Sequence, residues 1–282
     1  MKKVSSLLMF VLLTFLFVAV GWAKVNEDTM KQEVMKSYGK LPLYFIQNDG
    51  QLDNKVKFYT KGSGHSVFFT DDGVYVSLSR KEGDFKKEGR LKERDKFNRK
   101  EAKITVETVA IRPLNAKEAP EIVAEEMFTG KVNYFRGNDP SKWKTNIPTF
   151  GKVRYKEVYP GIDIVFYGNQ SQLEYDIVVK PGADYRVVRF EYEGIRELKV
   201  NEKGELVAVL SSGSEIIQKR PYIYQHIEGK EIKVDGGYEI ENKEGKYFFS
   251  FKVSTYNPQY ALVIDPVLAY STYLGGSGWD GG

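Results

Sequence analysis

Asp163, Asp176 and Glu174 are the residues whose types and spacing come closest to chemistry in this sequence. They lie in the stretch from Val153 to Asp184, which reads as a strand, a Pro160-Gly161 corner and a hairpin. Ile162, Ile164 and Phe166 alternate with Asp163, Val165 and Tyr167, while Leu173, Tyr175, Ile177 and Val179 alternate with Glu174, Asp176 and Val178. That period of two belongs to strands buried on one face. With Gly168-Asn169-Gln170-Ser171 as the loop, Phe166 pairs with Leu173, Ile164 with Tyr175 and Ile162 with Ile177. The same register sets Asp163 opposite Asp176 on the polar face, Cβ atoms ~4.5–5.5 Å apart, with Glu174 beside them. Two carboxylates this close repel, and three arrangements would relieve them. A Ca²⁺ ion takes several carboxylate oxygens. A sugar could lie between them as between a glycosidase acid/base pair, whose carboxyls stand ~5–10 Å apart. Arg154 and Lys156, on the polar face of the preceding strand, could also neutralise them, which is the ordinary solution and needs no ligand.

The other reactive residue types form weaker constellations. Asp71-Asp72-Gly73 and Asp280-Gly281-Gly282 carry carboxylates but lack the Asp-x-Asp-x-Asp-Gly spacing of a calcium loop, so they read as turns. His65 and His226 are the two histidines, each alone in its stretch. A zinc site would need both of them plus carboxylates. Ser63 and Ser277 sit among glycines without forming Gly-x-Ser-x-Gly, and neither a dinucleotide fingerprint nor a phosphate loop is present. The residues therefore predict no catalytic group and no cofactor; Asp163, Glu174 and Asp176 are the metal candidates, with Ca²⁺ the ion.

The elements that must position these residues are strands. Short β-patterned runs recur every 8–12 residues from Val56 to Ile264, separated by turns such as Asn201-Glu202-Lys203-Gly204 and Ser211-Ser212-Gly213. With 19 Tyr and 17 Phe in 282 residues, the composition favours strands over helices. The expectation is an all-β fold, an antiparallel β-sandwich-like domain, with one short helix over residues 26–38, where Met30, Val34 and Tyr38 share a face. Strands do not alternate with helices, which argues against a parallel α/β sheet. There is no cysteine, so stability must come from packing.

Met1-Lys2-Lys3, the apolar run Leu7 to Val20 and the small residues Gly21 and Ala23 read as a secretory signal peptide cleaved after Ala23. No second apolar run is long enough to span a bilayer, so the mature chain is expected outside the cytoplasm, extracellular, on the cell surface or in the periplasm, without a transmembrane helix. The net charge of +4 is concentrated between Arg80 and Lys103, where eleven bases meet six acids. Interspersed signs and the lack of an aromatic stacking pattern make that segment a solvated loop rather than a patch for polyanions such as nucleic acid or surface polysaccharide. The expected organisation is residues 1–23 signal peptide, 24–266 β domain with a sub-boundary weighed near 141–150, and 267–282 the opening of another unit.

Five motifs carry a family resemblance: Phe45-Ile46-Gln47-Asn48-Asp49-Gly50-Gln51, Val158-Tyr159-Pro160-Gly161-Ile162-Asp163, Leu173-Glu174-Tyr175-Asp176, Lys219-Arg220-Pro221-Tyr222-Ile223-Tyr224-Gln225, and Ile264-Asp265-Pro266 leading into Tyr270-Ser271-Thr272-Tyr273-Leu274-Gly275-Gly276. Together they resemble an uncharacterised N-terminal β domain that precedes SBBP-type β-propeller repeats in bacterial exported and cell-surface proteins. The resemblance implies export, an all-β domain and propeller repeats as its neighbours in a longer parent chain, the first of them cut short at Gly282. It implies no activity. The resulting expectation is a non-enzymatic structural or binding module whose further partners are surface polysaccharide or protein. The alternative is a carbohydrate-binding or carbohydrate-active module using the face of Asp163, Glu174 and Asp176.

Overall fold

The structure, a computed structural model, describes residues 43–62, 64–81, 104–169 and 172–271. The signal peptide and its cleavage site, the expected helix at 26–38, the interior of the basic segment and the glycine-rich tail from 272 lie outside the described residues. Strand accounts for 64% of what is described and helical turn for 3%, as the alternating sequence requires.

The chain forms β1 (Phe45–Gln47), β2 (Val56–Lys61), β3 (His65–Thr70), β4 (Gly73–Lys81), β5 (Ile104–Pro113) and β6 (Glu121–Tyr134). Then follow the long β7 (Lys144–Tyr159), β8 (Ile162–Asn169), β9 (Gln172–Val179), β10 (Arg189–Glu193), β11 (Glu197–Val200), β12 (Leu206–Val209) and β13 (Glu215–Gln218). The last strands are β14 (Tyr222–Ile227), β15 (Lys230–Val234), β16 (Gly236–Lys243), β17 (Lys246–Val253), β18 (Leu262–Asp265) and β19 (Val267–Ser271). Short 3-10 turns occupy Pro140–Lys142 and Tyr185–Val187.

All described pairings are antiparallel and join the strands into one sheet of 19. Two strands change partners along their length. β7 pairs with β1 at Thr149 and Phe150 and then with β8 from Lys152 onward. β9 pairs with β19 at Leu173 and Glu174 and with β18 from Ile177 to Val179. These forks let a single sheet curl round on itself into a nearly closed antiparallel barrel, where the sequence suggested the separate layers of a sandwich. β7 runs unbroken through most of the stretch weighed as a sub-boundary, and β19, expected to open the next unit, is bonded between β13 and β9.

The interior is aromatic and full. Phe166 meets Phe69 edge-on at 5.1 Å and Tyr155 at 5.7 Å, and stacks on Tyr175 at 5.5 Å. Phe69 in turn meets Phe45 at 5.3 Å. The residual cavity among Tyr155, Ile164, Phe166, Tyr175, Phe190 and Leu268 is ≈ 30 Å³, roughly the share of one water molecule in the liquid. Among the described residues the barrel thus has a packed core and no ligand-sized lumen.

The central hairpin corrects one expectation in detail. Phe166 pairs with Tyr175, Ile164 with Ile177 and Ile162 with Val179, while Gly168 and Asn169 continue the strand opposite Leu173 and Gln172. The loop is therefore two residues rather than four, and the register moves by two. A shift of two keeps each side chain on its face, so Phe166 and Leu173 are both buried, as the alternation required. Gly168 is a packing residue here: a Cβ on it would lie 2.5 Å from the Leu43 carbonyl oxygen. Gly161 at the corner has φ +74 after Pro160, the pairing a type II turn favours.

Candidate functional site

The shifted register separates the expected pair. Asp163 stands opposite Val178 and Asp176 opposite Val165. Asp163 is buried and already engaged. Its carboxylate accepts the Glu157 N–H at 2.9 Å, lies 3.4 Å from the Arg154 guanidinium and 3.8 Å from Lys180 Nζ. Glu157 has φ 54 and lies where the β7–β8 register slips between Tyr155 and Tyr159, so Asp163 ties down the free N–H of a β-bulge. Arg154 also binds Glu125 at 2.6 Å, whereas Lys156 turns away to Glu121 at 3.0 Å. The expected neutralisation thus comes from Arg154 but not from Lys156.

Glu174 and Asp176 instead join a residue distant in sequence. Ile264 pairs with Ile177 and Val263 with Val178, which sets Asp265 at the end of β18 beside Asp176. Tyr167 links them: its hydroxyl is 3.0 Å from Asp176 Oδ1 and 3.4 Å from Asp265 Oδ1. One O–H cannot donate fully to both. Asn169 donates to Glu174 Oε1 at 3.1 Å. Tyr222 pairs with Asp265 across the β14–β18 ladder, and Tyr224 tilts against Tyr222 with ring centroids 5.5 Å apart. The result is an outer sheet face of three carboxylates flanked by tyrosines.

Burial pushes the Asp265 carboxyl up to about 6, and the neighbouring Asp176 and Glu174 charges add to the shift against the Tyr167 hydrogen bond. Asp176 is also raised, chiefly by burial and then by Glu174, and Tyr167 is raised by burial and by the acids around it. Because the Asp265 pKa is higher in the folded chain than its ordinary 3.8, folding takes up a proton between those values. Stability from this group is greatest at low pH and is lost as pH rises through about 6. Asp265→Asn is therefore expected to raise the stability of the chain at pH 7.5 by about 1–3 kcal/mol and to leave it unchanged near pH 4, measured by urea unfolding at both values. A loss of stability at pH 7.5 would mean that the charged carboxylate is held by something favourable.

Sequence reasoning missed Asp265 and Tyr167 as members of this group. The alternation of Val263 and Asp265 was visible, but the β9–β18 pairing spans more than eighty residues and no local pattern reports it. Other candidates are structural. Asp72 accepts from Thr70 at 2.6 Å and Tyr75 at 2.8 Å and lies 3.3 Å from Arg112 Nε. Burial alone would raise its carboxyl, but these hydrogen bonds and the Arg112 charge hold it below its ordinary value. His65 opens β3 and His226 lies in β14, strands that do not pair. Among the described residues no group of three or more histidines and acids is arranged to hold a metal ion, and Asp163 does not join Glu174 and Asp176 as the Ca²⁺ reading required. Asp280 and Ser277 lie outside the described residues.

Buried and loop-holding amides hold loops and core together. The Asn48 amide donates to the carbonyls of Asp53 and Val56, both at 2.8 Å, and its oxygen accepts from the N–H groups of Gly50 and Leu52. Gln225, nearly fully buried, exchanges two 2.8 Å bonds with the backbone of Asn257. In the core Gln218 bridges Tyr175 at 2.7 Å and Tyr192 at 2.5 Å.

Fold and site together define a filled, nearly closed antiparallel β-barrel with a carboxylate-and-tyrosine outer face. Among the described residues no helix is long and apolar enough to cross a membrane. Residues 45–267 match the model of a domain of unknown function, DUF7948, and the chain belongs to that family. No curated protein and no solved structure matches it.

Proposed function

We propose that this chain is an exported, non-enzymatic structural and binding module that precedes a β-propeller in a bacterial surface-associated protein. The observation that carries this reading is the use made of the motif residues. Asn48, Asp163 and Gln225 are each engaged by backbone or by a counter-charge of the same domain, which is what a scaffold requires of its polar groups. The packed interior supports it, since among the described residues the barrel has no lumen in which to enclose a substrate.

Expression in a bacterial host with analysis of the exported protein tests this reading. The mature N-terminus is expected at Lys24, and the protein is expected to leave a panel of chromogenic glycosides and surface polysaccharides intact. A cytoplasmic protein retaining Met1 would remove export from the account.

A second reading, a carbohydrate-active face, draws on one specific observation. Asp176 and Asp265 share the Tyr167 hydroxyl, and both carboxyls are raised by burial, as the acid of a glycosidase carboxyl pair is. Glycoside cleavage that disappears in both Asp176→Asn and Asp265→Asn would establish this reading in place of the first.

A further inference from the structure

The β6–β7 hairpin ends in residues 135–143, every one of which is exposed. Its inner side is occupied. Val132 and Tyr134 pack on a small second core of Ile46, Tyr59 and Ile147, and the Tyr59 hydroxyl bonds that of Tyr134 at 2.6 Å. Alternation then turns Lys131 and Phe135 outward. Phe135 is 63% exposed and meets Trp143, 37% exposed, edge to face at 5.1 Å. Trp143 stands on the loop, with its indole N–H donating to the Gly137 carbonyl at 3.1 Å. Asp139 caps the adjacent 3-10 turn by accepting the Ser141 N–H at 3.0 Å, so the loop holds its aromatic pair out in a fixed position. The hairpin end also carries Arg136, Lys142 and Lys144; Lys142 lies 3.7 Å from Asp139 and Lys144 3.9 Å from Asp49, while Lys131 reaches back to Met127 Sδ at 3.8 Å.

We propose that this hairpin end docks on the surface of an anionic lipid bilayer. Exposed tryptophan and phenylalanine side by side, on a hairpin end that carries more bases than acids, suit the headgroup layer: the rings enter the boundary of the acyl chains and the cations meet the lipid charge. The geometry favours a bilayer over a polysaccharide or nucleic acid. Those ligands stack on flat ring faces, whereas this pair is held at 80° interplanar on a projecting end rather than in a groove.

The test is co-sedimentation of the full mature chain with phosphatidylcholine vesicles, with or without about 30% phosphatidylglycerol. The protein is expected to pellet with the anionic vesicles only and to be released by salt. Arg136→Gln with Lys142→Gln should weaken binding about thirtyfold, the effect of two surface charges, and Phe135→Ser with Trp143→Ser should weaken it about tenfold or more. All four sites are exposed, and an unchanged thermal midpoint confirms that each variant is folded. Failure of the wild type to bind anionic vesicles overturns the proposal. So does binding that survives the aromatic variant, which would point to simple charge attraction through another basic segment, and so does heparin binding with the same sensitivity to both variants.

Discussion

A chain ended at Pro266 is expected to lose its cooperative fold. Residues 267–271 contribute β19, which pairs with Glu215–Gln218 of β13 on one edge and with Leu173 and Glu174 of β9 on the other. Its Leu268 is 3% exposed and helps line the centre of the barrel. Removing the strand uncovers Leu173, now 1% exposed, and leaves two strand edges without partners inside the wall. Loss of one buried leucine costs about 2–5 kcal/mol and each lost ladder bond roughly 0.5–1.5 kcal/mol. Together these are comparable with the ~5–15 kcal/mol that stabilises a whole domain. Urea unfolding followed by circular dichroism checks the expectation, with Leu268→Ala as a milder companion losing about 2–5 kcal/mol. A truncated chain that unfolds cooperatively at the wild-type midpoint would show that β19 belongs to another unit.

Phe166→Ala is expected to destabilise the chain by about 3–5 kcal/mol. The ring sits among Phe69, Tyr155 and Tyr175, with centroids 5.1–5.7 Å away, and the cavity beside it is already nearly empty of free volume at ≈ 30 Å³. Strands of a closed wall cannot move inward to fill the space, so the cavity left by the ring persists. Phe166→Leu keeps most of the volume and is expected to lose under about 2 kcal/mol. Equal midpoints for the alanine variant and the wild type would mean that the barrel can collapse around this position and that its core is not close-packed.

Wherever a physical rule acts between neighbours in the chain, the sequence was readable. Alternation from Ile162 to Val179 gave the strands and the buried face, because successive side chains of a strand point to opposite sides whatever their partner. Pro160-Gly161 gave the corner, because glycine alone readily takes the φ of +74 that it needs. The hairpin register was readable only to within two residues. Gly168 looked like a loop residue, and what makes it part of the strand is the Leu43 backbone, which lies against it from far along the chain.

Several motif residues are engaged within the domain, but their types do not reveal with what. Asp163 was grouped with Asp176 by local counting; tertiary structure assigned it to the bulge at Glu157 and gave Asp176 a different companion, Asp265. That exchange follows from the forked edge of β9, where β18 and β19 meet one strand in succession. From sequence alone came the all-β class, the inward and outward faces and the places where the chain turns, since each depends on side-chain periodicity and backbone sterics within a few residues. Tertiary structure decided the closure of the sheet into a filled barrel and the membership of its acidic face, because both depend on which distant edges meet, and the hydrogen bonds that join edges are the same whatever side chains the strands carry.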